Sequence, residues 1–153
     1  MGEPSIGWAE VQELLGRWWY RYDEGDFDAM REMLTDDTEV RVRTDSGTTH
    51  FEEFIRADVS GIDEVMAWYR EHRLDSPYPL RHHGTNVHVT GSDDAGTAFA
   101  SYIYVNNVVG IMPGHLSSGV VSGVVRRDGG APKFASMEVK LDMTESVNLR
   151  DRL

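Results

Sequence analysis

The residue types able to move a proton at neutral pH gather in two short segments, Tyr22-Asp23 and Arg81-His82-His83-Gly84-Thr85-Asn86-Val87-His88. Imidazole titrates near neutral pH, and a buried carboxylate can hold it in one tautomer. A histidine in a strand and an acid closing a helix are therefore what an enclosed acid/base site requires. Asp23 stands out from Glu24, Asp26 and Asp28, which read as a solvated acidic turn. It follows Tyr22 directly on an apolar helical stripe, where a carboxylate is costly to bury without a partner. His83 is read as that partner, against the plainer alternative of a core histidine satisfied by the backbone. His82 and His88 take the opposite strand parity, toward helices or solvent, unless Gly84 marks a bulge that reverses it.

Other chemistries find less support. The three histidines alternate badly for one strand face, and no Cys or spaced Glu completes a metal set, so no metal is expected. Ser117 to Gly123 lacks the strand-turn-helix context and the lysine of a phosphate loop. With no cysteine in 153 residues, disulfides, thiolate nucleophiles and sulfur-ligated zinc are excluded. A formal charge of -11 disfavours nucleic-acid phosphates and anionic lipid. No apolar run approaches the ~18 residues of a membrane span, and no basic and apolar leader opens the chain, so a cytoplasmic protein is expected.

The elements that must position these residues follow from periodicity. Val11, Leu14, Leu15, Trp18, Trp19 and Tyr22 recur at three- and four-residue intervals, which predicts a helix over Trp8 to Tyr22 ended by Gly25. A second short helix starts at Phe27. Thr38 to Thr44 alternates as a strand with one wet face, Asp45-Ser46-Gly47 turns, and Phe51 to Val59 reads as helix. Ile62, Val65, Met66 and Tyr69 share the face of a helix that stops before Pro77. Strands are expected over Leu80 to Thr90, Gly96 to Val109, Gly119 to Arg127 and Lys133 to Met143, with hairpin turns at Asp93-Asp94 and Asp128-Gly129-Gly130. Helices first and long antiparallel strands after argue an α+β class, one domain over 1–153 with 144–153 as a C-terminal tail.

Tyr22-Asp23-x-x-Asp26-Phe27-Asp28, a strand near Val40, Arg81-His82-His83-Gly84-Thr85-Asn86 and a closing Lys133-Phe134 strand together resemble the SnoaL-like group of the NTF2-like superfamily, most nearly the scytalone dehydratase-like dehydratases. The resemblance implies a cone: a curved, mixed but mainly antiparallel sheet wrapped around three N-terminal helices, the cystatin-like α+β roll, enclosing an apolar pocket. It also implies roles, with His83 moving a proton at carbon, Asp23 orienting it and Tyr22 polarising an oxygen. Asn106 stands where scytalone dehydratase carries a second histidine, with Tyr102 and Tyr104 on the same side by parity. Gly119, Val121 and Gly123 replace polar residues, so a roomier, greasier pocket is expected. Tyr102, Tyr104, Asn106, Val121 and Trp19 are accordingly the substrate-contact candidates, although tryptophans at helical spacing commonly just pack.

Two functions follow. One is a cofactor-free dehydratase or isomerase acting on a cyclic, apolar polyketide- or steroid-like molecule. The other is a cone that binds or shapes such a ligand, as a polyketide cyclase would, without proton transfer of its own. Because an open sheet face in this superfamily is usually covered by another copy, a homodimer or small homo-oligomer is expected, with Val120, Val124 and Val125 as the covering face.

Overall fold

The computed structural model describes residues 4–153. Helix α1 (Trp8–Glu24) carries the apolar stripe, and Val11, Leu14, Leu15, Trp18, Trp19 and Tyr22 are all buried. It ends where Gly25 enters the left-handed region at φ 71°, its N–H returning to the last turn. Asp26 then accepts from the Ala29 N–H to cap the short α2 (Phe27–Glu32). The expected break at the acidic turn is thus a helix-to-helix corner that leaves Asp23 on the inward side.

Strand β1 (Leu34–Thr44) leads to α3 (His50–Ile55) and β2 (Ala57–Ser60). The expected single helix over Phe51 to Val59 is therefore corrected: its second half extends and pairs antiparallel with β1, Val42 opposite Ala57 and Val40 opposite Val59. Helix α3 is fixed from inside by Glu52, whose buried carboxylate accepts the Thr44 N–H at 2.6 Å. Helix α4 (Ile62–Leu74) follows. Then come β3 (Leu80–Asp93), β4 (Gly96–Val109), β5 (Met112–Asp128) and β6 (Ala131–Leu141), joined by tight turns. Strand β5 begins earlier than its sequence pattern suggests, because its first residues pair with Asn107 to Val109 across the turn.

The six strands run in the order β2-β1-β6-β5-β4-β3, with β1 and β6 parallel and the rest antiparallel. Helix α1 lies across β3, and the Trp8 indole N–H donates to the Val87 carbonyl at 2.7 Å. Trp18 fills the centre, meeting Tyr69 and Phe134 edge-on at ring separations of 5.0 and 5.6 Å. Truncating so buried a tryptophan to alanine typically costs ~3–5 kcal/mol. Of the valines expected on the outer sheet face, Val125 is instead fully buried, because it shares the two-residue parity of buried Val121 on β5. Among the described residues no helix is long and apolar enough to cross a membrane.

Candidate active site

The imidazole that meets Asp23 belongs to His82, one residue before the expected His83. Asp23 is 4% exposed, and both its oxygens serve His82: Oδ2 accepts the His82 backbone N–H at 2.8 Å, and Oδ1 lies 2.5 Å from Nδ1. A carboxylate can only accept, so the Nδ1 proton points at Asp23 and Nε2 is the nitrogen left for a substrate. No other described residue bonds that Nε2. The register sets the parity. His82 pairs with buried Val105 and Gly84 with buried Ile103, whereas His83 pairs with Tyr104. The irregularity in β3 lies beyond the site, between Thr85 and His88 with Asn86 at φ 55°, and does not reverse this stretch.

His83 therefore stands on the outer face, its Nε2 2.6 Å from Asn106 Oδ1 and its ring beside Tyr104. Tyr102 and Tyr104 are 58% and 43% exposed. These three, with Asn106, were expected in the pocket and form a solvent-facing cluster instead. The physical reason is the β4 alternation: Phe99, Ile103 and Val105 have no polar atom to hydrate and take the interior, while the tyrosines keep their hydroxyls in water.

Two elements hold the dyad in place. Trp19, one turn before Asp23 on α1, stacks flat on His82 at 4.7 Å and 6°. Tyr22 meets the same imidazole edge-on at 5.3 Å. Behind them the buried Arg73 of α4 donates to the end of α1, with Nη2 2.6 Å from the Asp23 carbonyl and Nε 3.0 Å from that of Tyr22. It also reaches the Pro77 carbonyl at 3.0 Å. A cation at a helix C-terminus is favourable, and here it ties α1, α4 and the following loop together at Asp23. Burial, above all, pushes the Tyr22 hydroxyl far above its ordinary value of 10, so it is a neutral donor throughout the physiological range.

His82, Trp19 and Tyr22 line a partly open cavity of about 130 Å³. Phe51, Phe54 and Ile55 of α3, Trp68, Tyr69 and His72 of α4, and Ile103, Val105, Val139 and Leu141 of the sheet complete most of the lining. The lining is apolar as expected, yet the space is small. Val121 is fully buried in the core beside it, and neither Val121, Gly119 nor Gly123 lines it. A side chain on Gly119 or Gly123 would collide with the carbonyl oxygen of Lys140 or Ser136 on β6, so these glycines permit close strand approach and free no pocket volume. A second, open groove of about 470 Å³ runs between α1 and β3, and includes Trp8, Gly16 and Gly84. Trp19 and His82 separate the two spaces.

Two residues of this site escaped the sequence reading. Arg73 sits among charged neighbours at a helix end and carries no sign of burial there. His72 lies three and four residues after Tyr69 and Trp68, a spacing that continues the apolar face of α4 and could have placed it on the cavity side. Among the described residues, no three His, Asp or Glu side chains cluster closely enough to hold a metal ion.

Solved structures share this architecture along nearly the whole chain. An NTF2-like protein with a cystatin-like fold from Novosphingobium aromaticivorans is 21% identical, with a TM-score of 0.70 over 95% of this chain and 87% of its own. ActVI-ORFA from Streptomyces coelicolor is 21% identical, with a TM-score of 0.72 over 89% of this chain and 97% of its own. A scytalone dehydratase-like protein from Novosphingobium aromaticivorans is 16% identical, with a TM-score of 0.69 over 93% and 88%. At these identities the likeness defines the NTF2-like, cystatin-like fold. The SnoaL-like domain model matches residues 8–138, and the chain belongs to that family. No curated protein sequence matches it.

Proposed function

We propose that this SnoaL-like domain is a cofactor-independent acid/base enzyme, a dehydratase or isomerase acting on a cyclic, largely apolar carbonyl compound. The observation that carries the reading is the His82 Nδ1 to Asp23 Oδ1 contact of 2.5 Å, with the ring's other nitrogen bonded to no described residue and the ring lining an apolar cavity. In this reading Nε2 removes the proton next to the substrate carbonyl, and Asp23 and the face of Trp19 stabilise the imidazolium that results. Tyr22 donates to the oxygen as it gains enolate charge, beside a largely apolar lining where that hydrogen bond is strengthened. The proton then returns to the distal carbon in an isomerisation, or leaves with the β-hydroxyl as water in an elimination. Both outcomes use the same shuttle.

The test uses two small probes that give one conjugated product, 3-cyclohexen-1-one by isomerisation and 3-hydroxycyclohexanone by loss of water. Enone absorbance reports turnover. Wild type is expected to accelerate at least one of them, and His82→Ala to lose that acceleration by about a hundredfold or more, in the range general acid/base catalysis supplies. Acceleration that survives in His82→Ala overturns the assignment. Ring binding with no acceleration of either probe favours a passive cone that only holds its ligand.

A further inference from the structure

The cavity that His82 lines contains a second histidine, on α4. His72, in the last turn of α4, stacks on Trp68 at 4.7 Å and 12°, with Phe54 tilted against it at 4.8 Å. Its backbone carbonyl accepts the Ser76 hydroxyl at 2.6 Å, which fixes the turn that carries it. Each histidine of the cavity thus lies on a tryptophan, His82 on Trp19 of α1 and His72 on Trp68 of α4. Trp68, Phe54 and Ile55 give that part of the lining its apolar surface, and the His72 ring is set into it beside Ser76.

From this placement we infer that His72 reads a hydroxyl on the ring of the substrate, at a position other than the carbon at which His82 acts, and that the substrate is a single-ring compound. The inference rests on the acid/base reading for which of the two histidines reacts, but its binding test does not depend on turnover. An apolar cavity of about 150 Å³ takes up benzene, and this partly open space of about 130 Å³ is on the same single-ring scale. The polarity argument comes from the ring itself. Burial, first, and the neighbouring His82 push His72 down to about 4, so it is a neutral imidazole with one donor and one acceptor nitrogen. The Phe54 main chain favours a proton on the ring, and Asp75 does so more weakly. As a neutral imidazole it keeps one nitrogen able to accept from a ligand O–H. An imidazole nitrogen in a largely apolar lining gains from a ligand that brings a hydrogen-bond donor to it.

p-Cresol and p-xylene have nearly the same shape and differ by one hydroxyl. Their binding is read from quenching of Trp19 and Trp68 fluorescence. Wild type is expected to prefer p-cresol by about tenfold or more. His72→Leu should abolish that preference while still binding p-xylene, and His72→Gln, which restores a polar group, should recover part of it. A thermal melt confirms that each variant is folded. A preference that persists in His72→Leu and vanishes in His82→Leu assigns the hydroxyl to the dyad and overturns the proposal. Equal wild-type binding of both probes, or tighter binding of 2-naphthol than of p-cresol, overturns it too. Loss of enone formation in His82→Ala with the p-cresol preference intact separates this inference from the acid/base reading.

Discussion

Trp19 lies flat on His82, ring centroids 4.7 Å apart and planes within 6°. The arrangement places an electron-rich face against the imidazole on the side away from Asp23's in-plane hydrogen bond. A cation over an aromatic face gains about 0.5–2 kcal/mol, so the stack favours the charged ring more than the neutral one. Trp19→Leu is therefore expected to lower kcat for enone formation about three- to thirtyfold with a smaller change in KM, because the interaction strengthens only as the proton arrives. Trp19→Phe should retain more of the rate. Equal loss in both variants would mean that Trp19 acts by filling space.

The neighbouring histidines give a sharper comparison. His82→Ala and Asp23→Asn should each reduce turnover by about a hundredfold or more, and the double variant little further, since the two act as one unit. His83→Ala should leave turnover within about twofold of wild type, because its ring hydrogen-bonds Asn106 on the outer face. Steady-state rates of the three single variants and the double variant check this directly. Loss of turnover in His83→Ala alone would place the chemistry on the wrong face of β3.

How much of this was readable in the chain depends on the range of the interaction concerned. The α1 stripe is local, and its spacing placed Trp18, Trp19, Tyr22 and hence Asp23 inside without any partner being known. Strand parity is not local. Either face of the His82-His83 stretch could point inward until β4 is aligned against it, and Ile103 and Val105, rather than the tyrosines between them, decide the matter. β2 is four residues long and follows α3 after a single residue, too short for a two-residue period to emerge from helical context. Arg73 was illegible because its acceptors are backbone carbonyls of α1 and of the loop after α4, which no side-chain pattern encodes.

Arg73 is for that reason a useful probe of how the site is held. Its guanidinium is buried and satisfied by carbonyls of Tyr22, Asp23 and Pro77. Arg73→Met leaves those acceptors unpaired, at an expected cost of about 2–4 kcal/mol measured by urea unfolding. Arg73→Lys, with fewer and less directional donors, should fall between. Turnover at a urea-free, fully folded temperature should drop as well, since the end of α1 carries Asp23. Unchanged stability in Arg73→Met would show that water replaces the guanidinium.

Acid should destabilise the fold in two steps. His72 has its folded value depressed from 6.5 to about 4 by burial. The unfolded chain therefore binds the proton first, so this contribution is fully present above pH 6.5 and is lost as pH falls toward 4. Discounted for the ring's partial exposure, it is on the order of 2 kcal/mol. Glu52, held low chiefly by its Thr44 hydrogen bond, contributes stability above 4.5 that is lost only at lower pH. Urea midpoints at pH 7.5, 5.5 and 4 should fall less steeply in His72→Leu than in wild type. Parallel curves would contradict the buried neutral ring.

The glycines of β5 test whether they serve the pocket or the sheet. Gly123 pairs with Met137, and a Cβ there would strike the Ser136 carbonyl oxygen, a backbone atom that cannot swing aside. Gly123→Ala must push β5 and β6 apart or distort the ladder between them, a change that typically costs 1–3 kcal/mol in a packed interior. Because Gly123 does not line the inner cavity, p-xylene affinity of the folded variant should stay within about twofold of wild type. Thermal melts and the fluorescence titration measure the two quantities separately. A variant of full stability that excludes p-xylene would return Gly123 to the pocket wall, where its sequence alone had placed it.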